Sequence, residues 1–141
     1  MPRADFYLID KPRFREQPLL LVCQLAVKAM AANQPCLIFC ESAEQADFLD
    51  DLLWDFDDDA FVPHQIVGAD EDEEEVPVLL AAPEHDPGLR PMVLNLRDAA
   101  VPDGFERVLE VVPADDSARG PLRERWKQYV ARGIDVKKHD M

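Results

Sequence analysis

Glycine is scarce in this chain. Only five occur in 141 residues, at Gly68, Gly88, Gly104, Gly120 and Gly133. None falls in G-x-x-x-x-G-K-[ST] or G-x-G-x-x-G, so the backbone cradle that phosphate-binding loops provide is missing. Cysteine is scarcer still. Cys23, Cys36 and Cys40 make an odd number, which suits reduced, buried thiols in the cytoplasm better than a disulfide framework. Cys36 and Cys40 would lie on one side of a strand, too far apart to share a tetrahedral zinc easily. His64, His85 and His139 are scattered and lack H-x-x-x-H spacing. These patterns predict no metal and no cofactor. No apolar run approaches a membrane span, and Met1-Pro-Arg-Ala-Asp5 does not open a signal peptide. Basic residues are outnumbered, with 15 Lys/Arg against 29 Asp/Glu and a net charge of −14. That balance argues against direct, high-affinity nucleic-acid binding, which needs a broad basic surface.

What the chain does have is alternation. Phe6–Ile9, Cys36–Cys40, Val78–Ala82, Met92–Leu96 and Val108–Val112 are short apolar runs that predict buried strands. Between them, Pro18–Ala32 shows helical spacing and ends at Asn33-Gln34-Pro35. A second helix starts at Ser42, with Gln45 placed for a capping box, and runs to Trp54–Phe56. Asp10–Arg13 reads as a loop, Phe61–His64 as extended and Phe105–Leu109 as a short helix. Asp70–Glu75 is an acidic block without apolar content, predicted to be a surface loop. The expected fold class is a single α/β domain over residues 1–141, with a mainly parallel sheet flanked by helices. The aromatics Trp54, Phe56 and Phe61 fit either core packing or a partner surface.

The end of the chain runs against the rest. Residues 119–141 hold seven Lys/Arg and three Asp/Glu, whereas residues 1–118 hold eight and twenty-six. Arg119–Arg132 predicts a helix with Pro121 in its first turn and Gly133 as its stop. Leu122, Trp126, Tyr129 and Val130 form its apolar stripe, and Arg119, Arg123 and Lys127 form a basic row beside Trp126. A guanidinium next to an aromatic wall suits a short acidic peptide: the cation grips a carboxylate while an apolar side chain packs alongside. An ordinary helix with a solvated basic face is the competing reading. Residues 133–141 read as a C-terminal tail.

Phe6-Tyr-Leu-Ile-Asp10, Phe39-Cys-Glu41 with Gln45-Ala46, Leu53-Trp54, Phe61-Val-Pro-His64 and Arg123-Glu-Arg-Trp-Lys127 stand in order along the chain. Together they resemble the chi subunit family of bacterial DNA polymerase III. The resemblance implies a Rossmann-like α/β sandwich without a nucleotide site. It also implies a non-catalytic accessory of the clamp loader in DNA replication. That accessory would bridge the psi subunit and the acidic C-terminal tail of single-stranded DNA-binding protein. Carried over by residue, the tail site is Val112, Arg119, Arg123, Trp126 and Lys127, with Arg123 holding the terminal carboxylate. The psi surface centres on Trp54 and Phe61, and a repair helicase is a further expected partner there. The rival reading is a small α/β enzyme, a hydrolase or nucleotide-handling protein of unknown substrate. It calls for a phosphate loop or a nucleophile beside a His, and the sequence displays neither. Direct single-stranded DNA binding through the basic helix is a third reading, opposed by the net charge.

Overall fold

The computed structural model describes residues 2–55, 63–67, 76–84, 90–97, 99–102 and 104–140. Among the described residues, seven strands form one sheet: β1 (Arg3–Leu8), β2 (Cys36–Phe39), β3 (His64–Ile66), β4 (Val78–Ala81), β5 (Met92–Asn95), β6 (Arg107–Val112) and β7 (Asp135–Asp140). Their order is β3-β4-β2-β5-β6-β1-β7, and every pairing is parallel. The helices are α1 (Pro12–Glu16), α2 (Pro18–Ala31), α3 (Ala43–Asp55) and α4 (Arg119–Ala131). This is the predicted α/β sheet with helices on both faces.

The strands are apolar throughout because the pleat sends successive side chains to opposite faces and both faces are covered. Cys36, Ile38, Val78, Leu80, Met92 and Leu94 pack against α2 and α3 in one cluster. Leu37, Phe39, Leu79, Ala81 and Val93 point the other way, into a second cluster that holds Tyr129 of α4. Fully burying one such aliphatic side chain contributes roughly 1.5–3 kcal/mol, so each face is a core in its own right. The three cysteines all belong to the first cluster, and burial pushes each thiol up to about 12.

Local chemistry sets the helix ends. The Gln45 N–H donates to Ser42 Oγ (3.1 Å) and the Gln45 side chain accepts from the Glu41 N–H (2.6 Å), a close relative of the expected capping box. α4 ends at Gly133, which has φ +79°. There the Gly133 N–H donates to Val130 O and the Ile134 N–H to Tyr129 O, the paired bonds of a Schellman motif. α2 ends the same way, with Asn33 at φ 56° taking glycine's place.

Three expectations are corrected. The segment read as a tail, 133–141, carries the seventh strand, β7, which pairs with β1. Its hydrophilic sequence hid it: an edge strand with solvated side chains has no apolar run to announce it. A buried carboxylate fastens it. Asp5 on β1 accepts from Arg3 Nε (3.1 Å) and Arg107 Nε (3.2 Å), and its other oxygen lies 2.8 Å from His139 Nε2. Burial alone would raise the Asp5 pKa, but these three partners together hold it below the usual value. Secondly, Asp10–Arg13 is not all loop, since Pro12 begins the short helix α1 and buries Phe14. Thirdly, no helix forms over Phe105–Leu109. Phe105 is buried against Phe39 edge to face, and Arg107 already starts β6. Phe61 and the block Asp70–Glu75 lie outside the described residues.

Candidate functional site

The expected tail-binding residues gather at α4 and the end of β6. A buried network fixes the rotation of α4. Glu110 sits midway along β6, on the face turned to α4, and is fully buried. Its carboxylate accepts from Arg125 Nε (3.1 Å), Asn95 Nδ2 (2.9 Å) and the Tyr129 hydroxyl (2.5 Å). The Tyr129 oxygen in turn accepts from the Val101 N–H (3.1 Å). Arg132 closes the lower end by donating to Val101 O (2.6 Å). Burial pushes Glu110 up to about 7, against the pull of Arg125, Asn95 and Tyr129. Burial also raises Tyr129, and the Glu110 charge beside it adds to that rise.

With Arg125 and Tyr129 turned inward, helical geometry sends Arg119, Arg123 and Lys127 outward. All three are exposed. Trp126 is half-buried beside them, its ring 5.1 Å from that of Phe6. Val112 shares the apolar cluster of Leu122 and Trp126, but it is only 3 % exposed. It therefore lies in the floor of the site rather than forming an open wall. Val130, assigned by its spacing to the apolar stripe, is 54 % exposed. At i+4 from Trp126 and i+3 from Lys127, it extends the apolar strip toward the basic row.

Sequence reasoning missed Glu110 and Arg125. The signal was present: a carboxylate inside Val108-Leu-Glu-Val-Val112 cannot be buried without a partner. Arg125 and Tyr129, four apart on the next helix, were available to supply one.

Trp54 lies elsewhere, at the end of α3, on the opposite face of the sheet. It is half-exposed and its ring is 5.0 Å from that of His64. His64 Nε2 lies 3.1 Å from Asp50 O and 2.9 Å from Asp50 Oδ1, which holds β3 against α3. Phe48, not singled out in the sequence, is 61 % exposed on the same helix.

A cavity of about 340 Å³ opens at the carboxyl ends of β2, β5 and β6, where doubly wound sheets commonly bind ligands. Here Arg97 enters its lining. It donates to Cys40 O (2.8 Å) and Ala81 O (3.0 Å) and lies 4.5 Å over Phe39. An arginine thus caps the strand ends where a glycine-rich loop would approach a phosphate. Among the described residues, no helix is long and apolar enough to cross a membrane.

Comparison with known proteins gives the family. Residues 1–137 match the family described as DNA polymerase III chi subunit, HolC. The chain belongs to the DNA polymerase III chi subunit family. It is 33 % identical to DNA polymerase III subunit chi of Pseudomonas aeruginosa, over 99 % of this chain and 96 % of that protein. It is 32 % identical to subunit chi of Escherichia coli K12, over 96 % of each. Chi is an accessory subunit of DNA polymerase III, not a catalytic one. Among solved structures, the C-terminal domain of the DEAD-box protein Dbp5 superposes with a TM-score of 0.66 at 12 % identity. The match covers 99 % of this chain and 90 % of that one, a likeness of fold alone.

Proposed function

We propose that this chi-family chain is a non-catalytic bridge in the cytoplasmic replication machinery. On this reading α4 captures the acidic C-terminal tail of single-stranded DNA-binding protein, and a second surface, formed by Trp54 at the far end of α3 together with Phe61, holds the psi subunit of the clamp loader. A repair helicase would compete for the psi surface. The observation that carries the reading is the outward row of Arg119, Arg123 and Lys127 beside the half-buried Trp126. The tail's terminal carboxylate would lie on Arg123, with its last aromatic side chain on Trp126 over the Val112 floor. Arg125 does not touch the tail in this scheme. Its bond to Glu110 sets the helix rotation that presents the other cations.

The test is calorimetric titration of a synthetic acidic peptide ending in Asp-Phe. Hydrogen bonds to charged groups contribute about 1.5–3 kcal/mol, so Arg123→Ala should weaken binding by about ten-fold or more. Its circular dichroism should be unchanged, because Arg123 is exposed. Equal binding by wild type and variant would move the site off this helix. Raising ionic strength should weaken binding markedly, because an acidic tail must find a basic patch on a molecule that otherwise repels it.

A further inference from the structure

Helix α3 presents an outer face with a chemistry of its own. Over Ala43–Asp55 the helix carries Glu44, Asp47, Asp50, Asp51 and Asp55 and no Lys or Arg. Ala46, Leu49 and Leu53 are its buried residues, which fixes the opposite side as the outward face. At 100° per residue, that face is ordered across the helix. Trp54 stands at one margin, then Asp47, Asp51, Glu44 and Asp55, and then Phe48 at the other margin. Phe48 and Trp54 are two of the three large apolar side chains that stand most exposed among the described residues. They are six residues apart, ~9 Å along the axis, with Asp51 between them. Trp54 is positioned from below by the His64 ring, itself held on Asp50.

Two exposed aromatic side chains that bracket a strip of carboxylates do not suit a purely apolar partner. Such a partner would strip water from the acids without compensating them. Nor do they suit an acidic one, which the strip would repel. A segment with apolar side chains set on either side of Lys or Arg fits both parts at once. Resting on the proposed psi reading, we infer that the partner segment seated on α3 is basic and apolar. Its hydrophobic side chains sit on Phe48 and Trp54, and its cations face Asp47, Asp51 and Asp55. Phe48 is thereby a specificity residue of that surface, and the two ends of the bridge select by opposite charge.

The experiment measures the affinity of the full chain for the psi subunit of the same organism across ionic strength. The variants are Phe48→Ala, Trp54→Ala and the double charge reversal Asp47→Lys with Asp51→Lys. All four positions are exposed, and circular dichroism reports folding. The expected result is a ten-fold or larger loss for each aromatic variant. The charge reversal should lose a similar amount at low salt, and that loss should shrink as salt rises. If the aromatic variants weaken binding while charge reversal and salt leave it unchanged, the surface holds psi but the basic-partner inference is overturned. If no variant changes binding, the psi reading of α3 falls and the inference falls with it.

Discussion

Helices α3 and α4 are each 13 residues long, and they lie on opposite faces of one sheet. In other respects they contrast. α3 holds five acidic residues and no basic one, buries only apolar side chains, and leaves aromatics outside. α4 holds Arg119, Arg123, Arg125 and Lys127 against Glu124, buries an arginine and a tyrosine, and turns its other cations outward. α3 rests on the sheet through apolar side chains, with the Asp50–His64 contact at its flank, so its outer face can vary without disturbing the core. α4 is held through a buried ion pair, so presentation of its outer cations depends on a polar contact that tolerates little change. The same charge-bearing residue type thus has two roles on one helix, decided by whether a carboxylate waits on the sheet beneath it.

The contrast breaks most severely at Arg125. Truncating one partner of a buried ion pair typically costs about 3–5 kcal/mol, and Arg125→Ala should cost that much in urea denaturation near pH 7.5. Leu53→Ala on α3 removes a fully buried apolar side chain and should cost about 2–5 kcal/mol by cavity formation alone. The two defects separate by pH. The Arg125→Ala loss should shrink at pH 5, where Glu110 can take up a proton, and the Leu53→Ala loss should not.

The next effect is the pH dependence of wild type. The folded state raises Glu110 from an ordinary 4.5 to about 7, so folding holds an extra proton between those values. Its stabilising contribution is complete below pH ~4.5 and is lost as pH rises through ~7. The change is on the order of 3 kcal/mol at about 1.4 kcal/mol per unit. Glu110→Gln should flatten the stability profile across that window, as measured by urea denaturation at successive pH values. A slope unchanged in the variant would place the titrating group elsewhere.

Within α4, two neighbouring side chains should differ in what they contribute. Tyr129 is buried and bonded to Glu110, whereas its neighbour Val130 is exposed. Tyr129→Phe removes one donor from a buried carboxylate and should cost about 1–3 kcal/mol. Val130→Ala should change stability by no more than about 0.5 kcal/mol. Thermal denaturation of the two variants reads the difference directly.

Much of this was legible in the sequence, for identifiable reasons. Strands buried on both faces announce themselves as continuous apolar runs, so Cys36–Phe39 and Met92–Asn95 were found almost to the residue. The stops at Asn33 and Gly133 were legible because few residues accept the left-handed conformation that both adopt. β7 was not legible, because an edge strand needs no apolar side chains and Asp135–Asp140 has only Val136. The basic row of α4 was visible from charge and spacing. Which of its cations turns inward was not, because that depends on Glu110, distant in sequence. Val130 and Tyr129 are adjacent in the stripe, and only packing against the sheet separates them. Phe48 went unnoticed because a phenylalanine in an amphipathic helix is usually core, and here it faces solvent.

On the proposed reading, the two helices serve two partners at once from opposite faces of the sheet. The most direct test titrates the acidic tail peptide into the free chain and into the chain saturated with psi. The expected result is the same tail affinity, within about two-fold, in both titrations, with a ternary complex visible by sedimentation. Loss of tail binding when psi is present would show that the two surfaces are not independent and would contradict the bridge.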